Sequence, residues 1–388
     1  MSVLDEQIHH DLRESVRYFV EKEVKPFAFK LGNSDGEIPS DIIRKMSELG
    51  YLGLIFPKEW DGSELDVVAM AIVTEELARG WLSVASVVTR AIITGSLLLN
   101  HGTAEQKKKW LSRIAKGQIL TAAAITEPDV GSDVASIALR AVEKDQHYFL
   151  SGPKTWCTFA DRAHLLTVVG RVHPNPVAGH KGLSIFLLEK EPGPHFFPPQ
   201  LMGSAIPTVG YHGSHSFSLN FDQVEIPRGN LLGETPGLGF KQMMSTFELS
   251  RIQTAARAVG VAQAALDEAI TYAKQRSQFG TKLANHQVIR HKIATMSTKV
   301  EAARQLCLHA ARIKSAGGRS DLAAGSAKVF AAEMAEWVTS EALQVFGGYG
   351  YSTEFPVQMY WRDARVFRVF EGTSEIQYEV IAKQIFQS

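Results

Sequence analysis

Cysteine is nearly absent from this 388-residue sequence, which holds only Cys157 and Cys307. Two cysteines cannot build a disulfide framework, so the fold must rest on its core, and the usage fits a reducing compartment. Neither sign of charge is in excess. Lys+Arg and Asp+Glu number 41 each, so no overall field calls for nucleic acid or an anionic membrane. An anionic ligand would have to be met by local charge. Long hydrophobic runs are also missing. The most apolar stretch, WLSVASVVTRAIITGSLLLN (81–100), is interrupted by Arg90, whereas a membrane helix needs about 20 apolar residues. The N-terminus, MSVLDEQIHH, lacks the apolar core of a signal peptide. These absences predict a cytoplasmic protein with no membrane and no nucleic-acid partner.

Common catalytic signatures are absent too. The thirteen histidines form no HExxH pair and no Cys/His cluster at metal spacing, so no metal is expected. There is no GxSxG elbow, no GxxxxGK[ST] loop, and no GxGxxG that follows a strand and opens a helix. GGYGYS (347–352) has the glycines without that context.

What is present falls into three zones. In residues 1–118 the apolar spacing is helical: Leu12, Val16, Phe19 and Val20, then Ile42–Gly53, then Val67 to Asn100, with Gly102 and Gly117 as stops. In 119–232 short runs rich in Val, Ile, Phe and Thr read as strands: ILTAAAIT, HYFLSG, LLTVVGRV, GLSIFLLE and SFSLNFDQVEIP. No long helix separates them, which favours an antiparallel sheet, barrel or sandwich over a parallel sheet. From 233 to 388 helices return. Ile289, Ile293, Met296, Val300, Ala303 and Cys307 form one apolar stripe, which makes Cys307 a core residue. A last helix starts near Ser374, where Ser374 and Gln377 have capping-box spacing. The predicted fold is mainly α with a central β domain: an N-terminal helical domain, a β domain and a C-terminal four-helix bundle.

Three segments combine groups that could carry chemistry. In ILTAAAITEPDVGSD (119–133) a strand ends in hydroxyls and a Gly; backbone N–H groups released there can cradle a heterocycle or a phosphate, or the segment is a plain Pro-Gly loop. In GPKTWCTFADRA (152–163) Trp156 stands between two threonines, which suits stacking on a flat ring or burial in the core. In RDARVFRVFEGTSEIQ (362–377) Glu371 lies among Val366, Phe367, Val369 and Phe370. Apolar neighbours raise a carboxylate pKa toward the range of a general base; a helix-capping Glu is the alternative.

Together these segments resemble the acyl-CoA dehydrogenase family, and the resemblance covers nearly the whole chain. TEPDVGSD, KTWCT, RSQFGTKLANHQ, QVFGGYGY and RDAR…FEGTSEIQ stand in the family's order. The resemblance implies FAD between the β domain and the C-terminal helices, with a neighbouring subunit completing the site. Ile125, Thr126 and Ser132 would contact the flavin, with Ser132 also near the thioester. Trp156 would face the ring and Thr158 would lie near N5. Arg276, Gln278, Phe279 and Gln287 would receive the adenine and pyrophosphate part across a subunit contact. Gln344, Gly347 and Gly348 belong to another FAD loop, and Thr373 and Glu375 follow the base, Glu371. Glu248, Arg251 and Gly372 would lie near the CoA thioester. Implied partners are an acyl-CoA substrate, an electron-transfer flavoprotein and further copies of the chain, as a tetramer.

Two departures stand out. Asp129 and Val130 replace a Gly-Ala pair, which stiffens or crowds that loop, and Phe370 replaces the common Tyr. Ser250 occupies the place where some members carry their base, and Ser cannot serve, so Glu371 stands alone. Arg90 sits where relatives build the acyl pocket; it either pairs a distal substrate carboxylate or snorkels to the surface. FELSRIQTAARAVGVAQ (247–263) resembles the methylsuccinyl-CoA dehydrogenase branch, which implies a short, branched or dicarboxylic acyl group. The rival readings are an acyl-CoA oxidase or desulfinase on the same fold, and a non-catalytic CoA- or flavin-binding subunit.

Overall fold

The computed structural model describes residues 3–172 and 176–387. Helix α1 (Val3–Phe19) runs through a π turn (Val20–Val24) into α2 (Lys25–Asn33). It is followed by α3 (Ser40–Glu48), α4 (Val67–Gly80), α5 (Leu82–His101) and α6 (Ala104–Ala115). The apolar run from 67 to 100 is two helices, because Trp81 is extended (φ −161°) and donates its indole N–H to the His212 carbonyl. Start signals act where side chains permit. Asp66 accepts from the Ala69 amide at the head of α4, and Thr103 with Gln106 closes a full capping box on α6.

The β domain carries β1 (Thr121–Ala124), β2 (Arg140–Lys144), β3 (His147–Thr158), β4 (Leu165–Val172), β5 (Leu183–Glu189), β6 (Leu201–Ile206) and β7 (Ser216–Pro227). Its sheet is mixed, which corrects the antiparallel expectation. β1 and β2 lie end to end along one edge of β4, both parallel to it, while β5 pairs antiparallel on the other edge. The β2–β3 hairpin turns the chain back before β4 begins, so β4 leaves in the direction of β1 and β2. β2 and β6 are not among the expected strands: RAVEK and LMGSAI are short, polar or Gly-containing, and mostly unburied.

In the C-terminal zone, α7 (Gly239–Gln275) spans 37 residues and continues through Gly260. Gly260 marks a close crossing, since a Cβ there would lie 2.2 Å from the Glu75 carbonyl oxygen of α4. A small hairpin, β8 (Ser277–Gln278) and β9 (Thr281–Lys282), leads to α8 (Gln287–Ser315), α9 (Asp321–Phe346), α10 (Val357–Ala364) and α11 (Ser374–Gln387). The stripe on α8 is buried from Met296 through Val300 and Ala303 to Cys307, with Ile289 and Ile293 partly buried. The buried Glu75 and Glu76 of α4 meet Arg13, Arg17 and Arg304, tying α1 to the bundle. One helix, α5, is long and apolar enough to cross a membrane, but 83% of its most apolar window is buried inside the fold.

Candidate active site

The chain before α11 is held open by two residues in the left-handed region, Glu371 (φ +53°) and Gly372 (φ +85°). A side chain at such a φ is strained, and strain of this kind is retained where surroundings over-determine it. Here the fully buried Lys328 of α9 donates to the Gly372 carbonyl. Thr373, rather than the expected Ser374–Gln377 box, caps α11: its hydroxyl accepts from the Ile376 amide. Ser374 Oγ and Gln377 Oε1, two of the atoms the box would have used, are buried without partners.

The Glu371 carboxylate reaches α7, where Ser250, Thr254 and Arg257 stand at i, i+4 and i+7 and so share one face. Ser250 donates to Oε2 at 2.8 Å, Thr254 donates to the same oxygen, and Arg257 donates to Oε1 at 2.7 Å. The apolar surroundings do raise the Glu371 pKa, as expected from sequence. The Arg257 guanidinium and the two hydroxyls outweigh them, however, and hold the carboxyl below its ordinary value. That corrects the expectation of a raised pKa in the ligand-free protein. Arg257 also donates to Ser86 Oγ, which accepts from Tyr211 as well. Tyr211 is placed in turn by Asp363, whose carboxylate accepts its amide N–H at 2.6 Å. Asp363 is buried, which pushes its pKa up to about 6.

Arg90 stands one turn beyond Ser86 on α5. It does not snorkel: Nη1 donates to the Ser86 carbonyl at 2.9 Å and Nε to the Thr158 carbonyl at 3.3 Å, with the guanidinium 5.1 Å from the Phe159 ring centre. Arg90 and Phe159 line a small cavity together with Val87, Leu120 and Thr121. The Thr121 hydroxyl is buried without a partner.

On the sheet side, Trp156 is 56% exposed at φ +57°, so it is not a core residue. Thr158 shares a hydrogen bond with Ser216 at 2.9 Å. Ile125 and Thr126 are tied to β3, through Lys154 Nζ to the Ile125 carbonyl and the Thr155 amide to the Thr126 carbonyl. Buried Glu127 accepts from Lys154 and from the Ala138 and Leu139 amides, and Val130 closes a two-bond turn with Glu127. These main-chain bonds close the loop between residues 127 and 130, leaving Asp129 and Ser132 exposed.

A second group lies on the β8–β9 hairpin and the end of α9. Arg276 sits over the Tyr349 ring at 5.7 Å, Phe279 is 96% exposed at φ +51°, and Gln278, Gln287, Gln344, Gly347 and Gly348 are exposed. Among the described residues, none of its hydrogen bonds reaches the Glu371 network. Glu248 and Arg251 are buried and already paired, Glu248 with Lys314 and Ser320, Arg251 with Asp321. Among the described residues, Glu37, Asp161 and His215 also bring ligand atoms within 4.8 Å of one another, where His215 lies 3.4 Å from Asp35.

The chain matches the acyl-CoA dehydrogenase N-terminal domain over residues 6–118, the middle domain over 122–224 and the C-terminal domain over 237–386. It belongs to the acyl-CoA dehydrogenase family. Members are oxidoreductases acting on CH–CH bonds, and FAD is the family's cofactor. The chain is 41% identical to (2S)-methylsuccinyl-CoA dehydrogenase of Cereibacter sphaeroides over 387 residues, covering 99% of this chain and 70% of that one. It superposes on butyryl-CoA dehydrogenase of Megasphaera elsdenii with a TM-score of 0.92 at 33% identity, covering 100% and 99% of the two chains. A glutaryl-coenzyme A dehydrogenase in complex with glutaryl-CoA gives 0.92 at 35%, covering 100% and 96%.

The surfaces of this acyl-CoA dehydrogenase fit a flavin. Trp156 presents an exposed aromatic face, and a Cβ on Gly131, Gly347 or Gly348 would meet nothing within 4 Å. A ligand can therefore approach that backbone closely. Sequence reasoning missed Arg257, Thr254, Ser86, Tyr211 and Lys328. One signal was present: Ser250, Thr254 and Arg257 stand at helical spacing on one face of α7, in a segment unusually rich in buried polar residues.

Proposed function

We propose that this acyl-CoA dehydrogenase oxidises a short, branched acyl-CoA thioester that carries a second carboxylate, giving the 2-enoyl-CoA, with Glu371 as the base. The carrying observation is at Glu371. Its carboxylate and its own amide N–H sit together, and among the described residues that N–H has no hydrogen-bond partner. A thioester carbonyl that accepts from this N–H brings its α carbon beside the carboxylate, and charge developing on the oxygen meets a fixed donor. Glu371 then takes the α proton. Bound FAD supplies the hydride acceptor. Trp156 and Thr158 orient its ring, Ile125, Thr126 and Ser132 line its edge, and Gly372, Thr373 and Glu375 complete the turn behind the base. Closing the site over the thioester excludes water and raises the Glu371 pKa toward the operating range.

Support for a second carboxylate comes from Arg257 on the Glu371 carboxylate, from Arg90 one turn beyond Ser86 on α5, and from relatives named for dicarboxylic substrates. Arg276, Gln278, Phe279 and Gln287 with Gln344, Gly347 and Gly348 form the surface that receives the FAD of a neighbouring subunit, as a tetramer. An exposed Phe279 on a strained hairpin supports that contact. Glu248 and Arg251 lie toward the CoA end. An electron-transfer flavoprotein is the proposed electron acceptor. The test is anaerobic titration of the purified yellow tetramer with a panel of acyl-CoA thioesters, followed by flavin bleaching. Bleaching by 2-methylsuccinyl-CoA is expected, and no bleaching by any thioester ends the reading. Peroxide formation in preference to flavoprotein reduction would instead make the chain an oxidase.

A further inference from the structure

We propose that Arg257 is a latch on Glu371 that the distal carboxylate of the substrate opens, so that substrate class is read in the rate of proton removal. The inference rests on the substrate reading above. Arg257 is fully buried, and among the described residues the one carboxylate it meets is Glu371. A buried cation without a countercharge is expensive, so this pair resists separation while nothing replaces Glu371. Glu371 meanwhile has its oxygens occupied by three donors: Arg257, Thr254 and Ser250. A base in that state is weak, because each donor stabilises the ionised form.

A carboxylate on the β carbon changes the balance. Its carbon lies roughly 2.5 Å from the α carbon, and Arg257 is 2.7 Å from the base that attacks there. The substrate carboxylate can therefore supply the countercharge and free Glu371 Oε1. The other charged groups facing Glu371 stay in place. Lys328 of α9 is held by the Gly372 carbonyl, Arg251 of α7 by Asp321, and Glu375 stands on α11. Tyr211 and Ser86 keep Arg257 in position during the exchange. A thioester of equal size without the carboxylate can bind, but it must move Glu371 against the unbroken pair.

The experiment is anaerobic stopped-flow flavin reduction of parent, Arg257→Gln and Arg257→Lys holoenzymes between about pH 6 and 9. The substrates are 2-methylsuccinyl-CoA and its isostere 2,4-dimethylpentanoyl-CoA, in which an isopropyl group takes the place of the carboxylate, with flavin absorbance and melting as fold controls. The parent is expected to reduce with the dicarboxylate about 100-fold faster than with the isostere. Arg257→Gln should speed the isostere about tenfold and move its pH midpoint upward, while slowing the dicarboxylate. Arg257→Lys keeps the charge but loses the fork, so it should restore part of the preference. If Arg257→Gln does not hold its flavin, a preference in Arg257→Lys equal to the parent's overturns the proposal. So does a pH midpoint that Arg257→Gln leaves unmoved. A midpoint that moves in an enzyme whose parent prefers the isostere overturns the exchange through the failure of the substrate reading, and leaves Arg257 as a positioning residue.

Discussion

Ser250 Oγ lies 2.8 Å from Glu371 Oε2, although 121 residues separate the two in the chain. The resemblance implies that some members carry their base at the position of Ser250; here Ser250 instead hydrogen-bonds the proposed base, Glu371. Two places in sequence therefore face one locus, and the carboxylate can be delivered to it from the turn before α11 or from α7. With Ser at 250, Glu371 is the carboxylate that meets the Ser250–Thr254–Arg257 face.

Glu371→Gln keeps the size and an acceptor for Arg257 while removing the base. It should fold, hold FAD and bind acyl-CoA with little change, while flavin reduction falls by about 10³-fold or more. Single-turnover reduction against thioester binding separates the two effects. Reduction at the parent rate would place the proton acceptor elsewhere.

Asp363 gives a pH dependence of stability. Its folded pKa is pushed up to about 6 from 3.8 because it is buried. The folded state thus holds a proton that the unfolded chain releases near 3.8. Its stabilisation is fully present below that value and is lost as pH rises through about 6. Asp363→Asn keeps an acceptor for the Tyr211 amide but does not titrate. The unfolding free energy of the parent minus that of the variant should therefore fall between these pH values and level off above them. A flat difference would show that Asp363 ionises in the folded protein as it does in the unfolded chain.

Gly260 should be intolerant of any side chain. A Cβ at 2.2 Å from the Glu75 carbonyl forces α4 and α7 apart, and overpacking of this kind costs about 1–3 kcal/mol or more. Gly260→Val should melt well below the parent by circular dichroism, with Gly260→Ala between them. Equal melting of all three would mean that the two helices yield at no cost.

The zones were legible because period is a local property: the apolar stripe from Ile289 to Cys307 lies on one helix, α8, and Cys307 lies in the core. Edges were not. β2 and β6 bury few side chains, so their sequences carry little apolar alternation. Glu371 was singled out by its apolar neighbours in the chain and read as the base through the family resemblance. Its electrostatics come from Arg257, 114 residues away, and no local pattern encodes that approach. Trp156 was ambiguous for a related reason. Exposure is decided by what packs over a strand end, and nothing in KTWCT states it.

Arg90 tests the acyl pocket. Two of its donor groups are committed to the Ser86 and Thr158 carbonyls, while among the described residues Nη2 makes no hydrogen bond. That leaves one N–H-bearing group to meet a ligand beside Phe159. Arg90→Met should lower kcat/KM for 2-methylsuccinyl-CoA by about 100-fold or more, because the carboxylate would be desolvated beside one cation fewer. Butyryl-CoA should be spared or improved, since Met adds apolar volume to the pocket. The two freed carbonyls make some loss of stability expected, so melting is measured alongside. The ratio of the two kcat/KM values is the decisive quantity. An unmoved ratio in a variant that melts like the parent would confine Arg90 to bracing Thr158, and carboxylate recognition would then fall to Arg257.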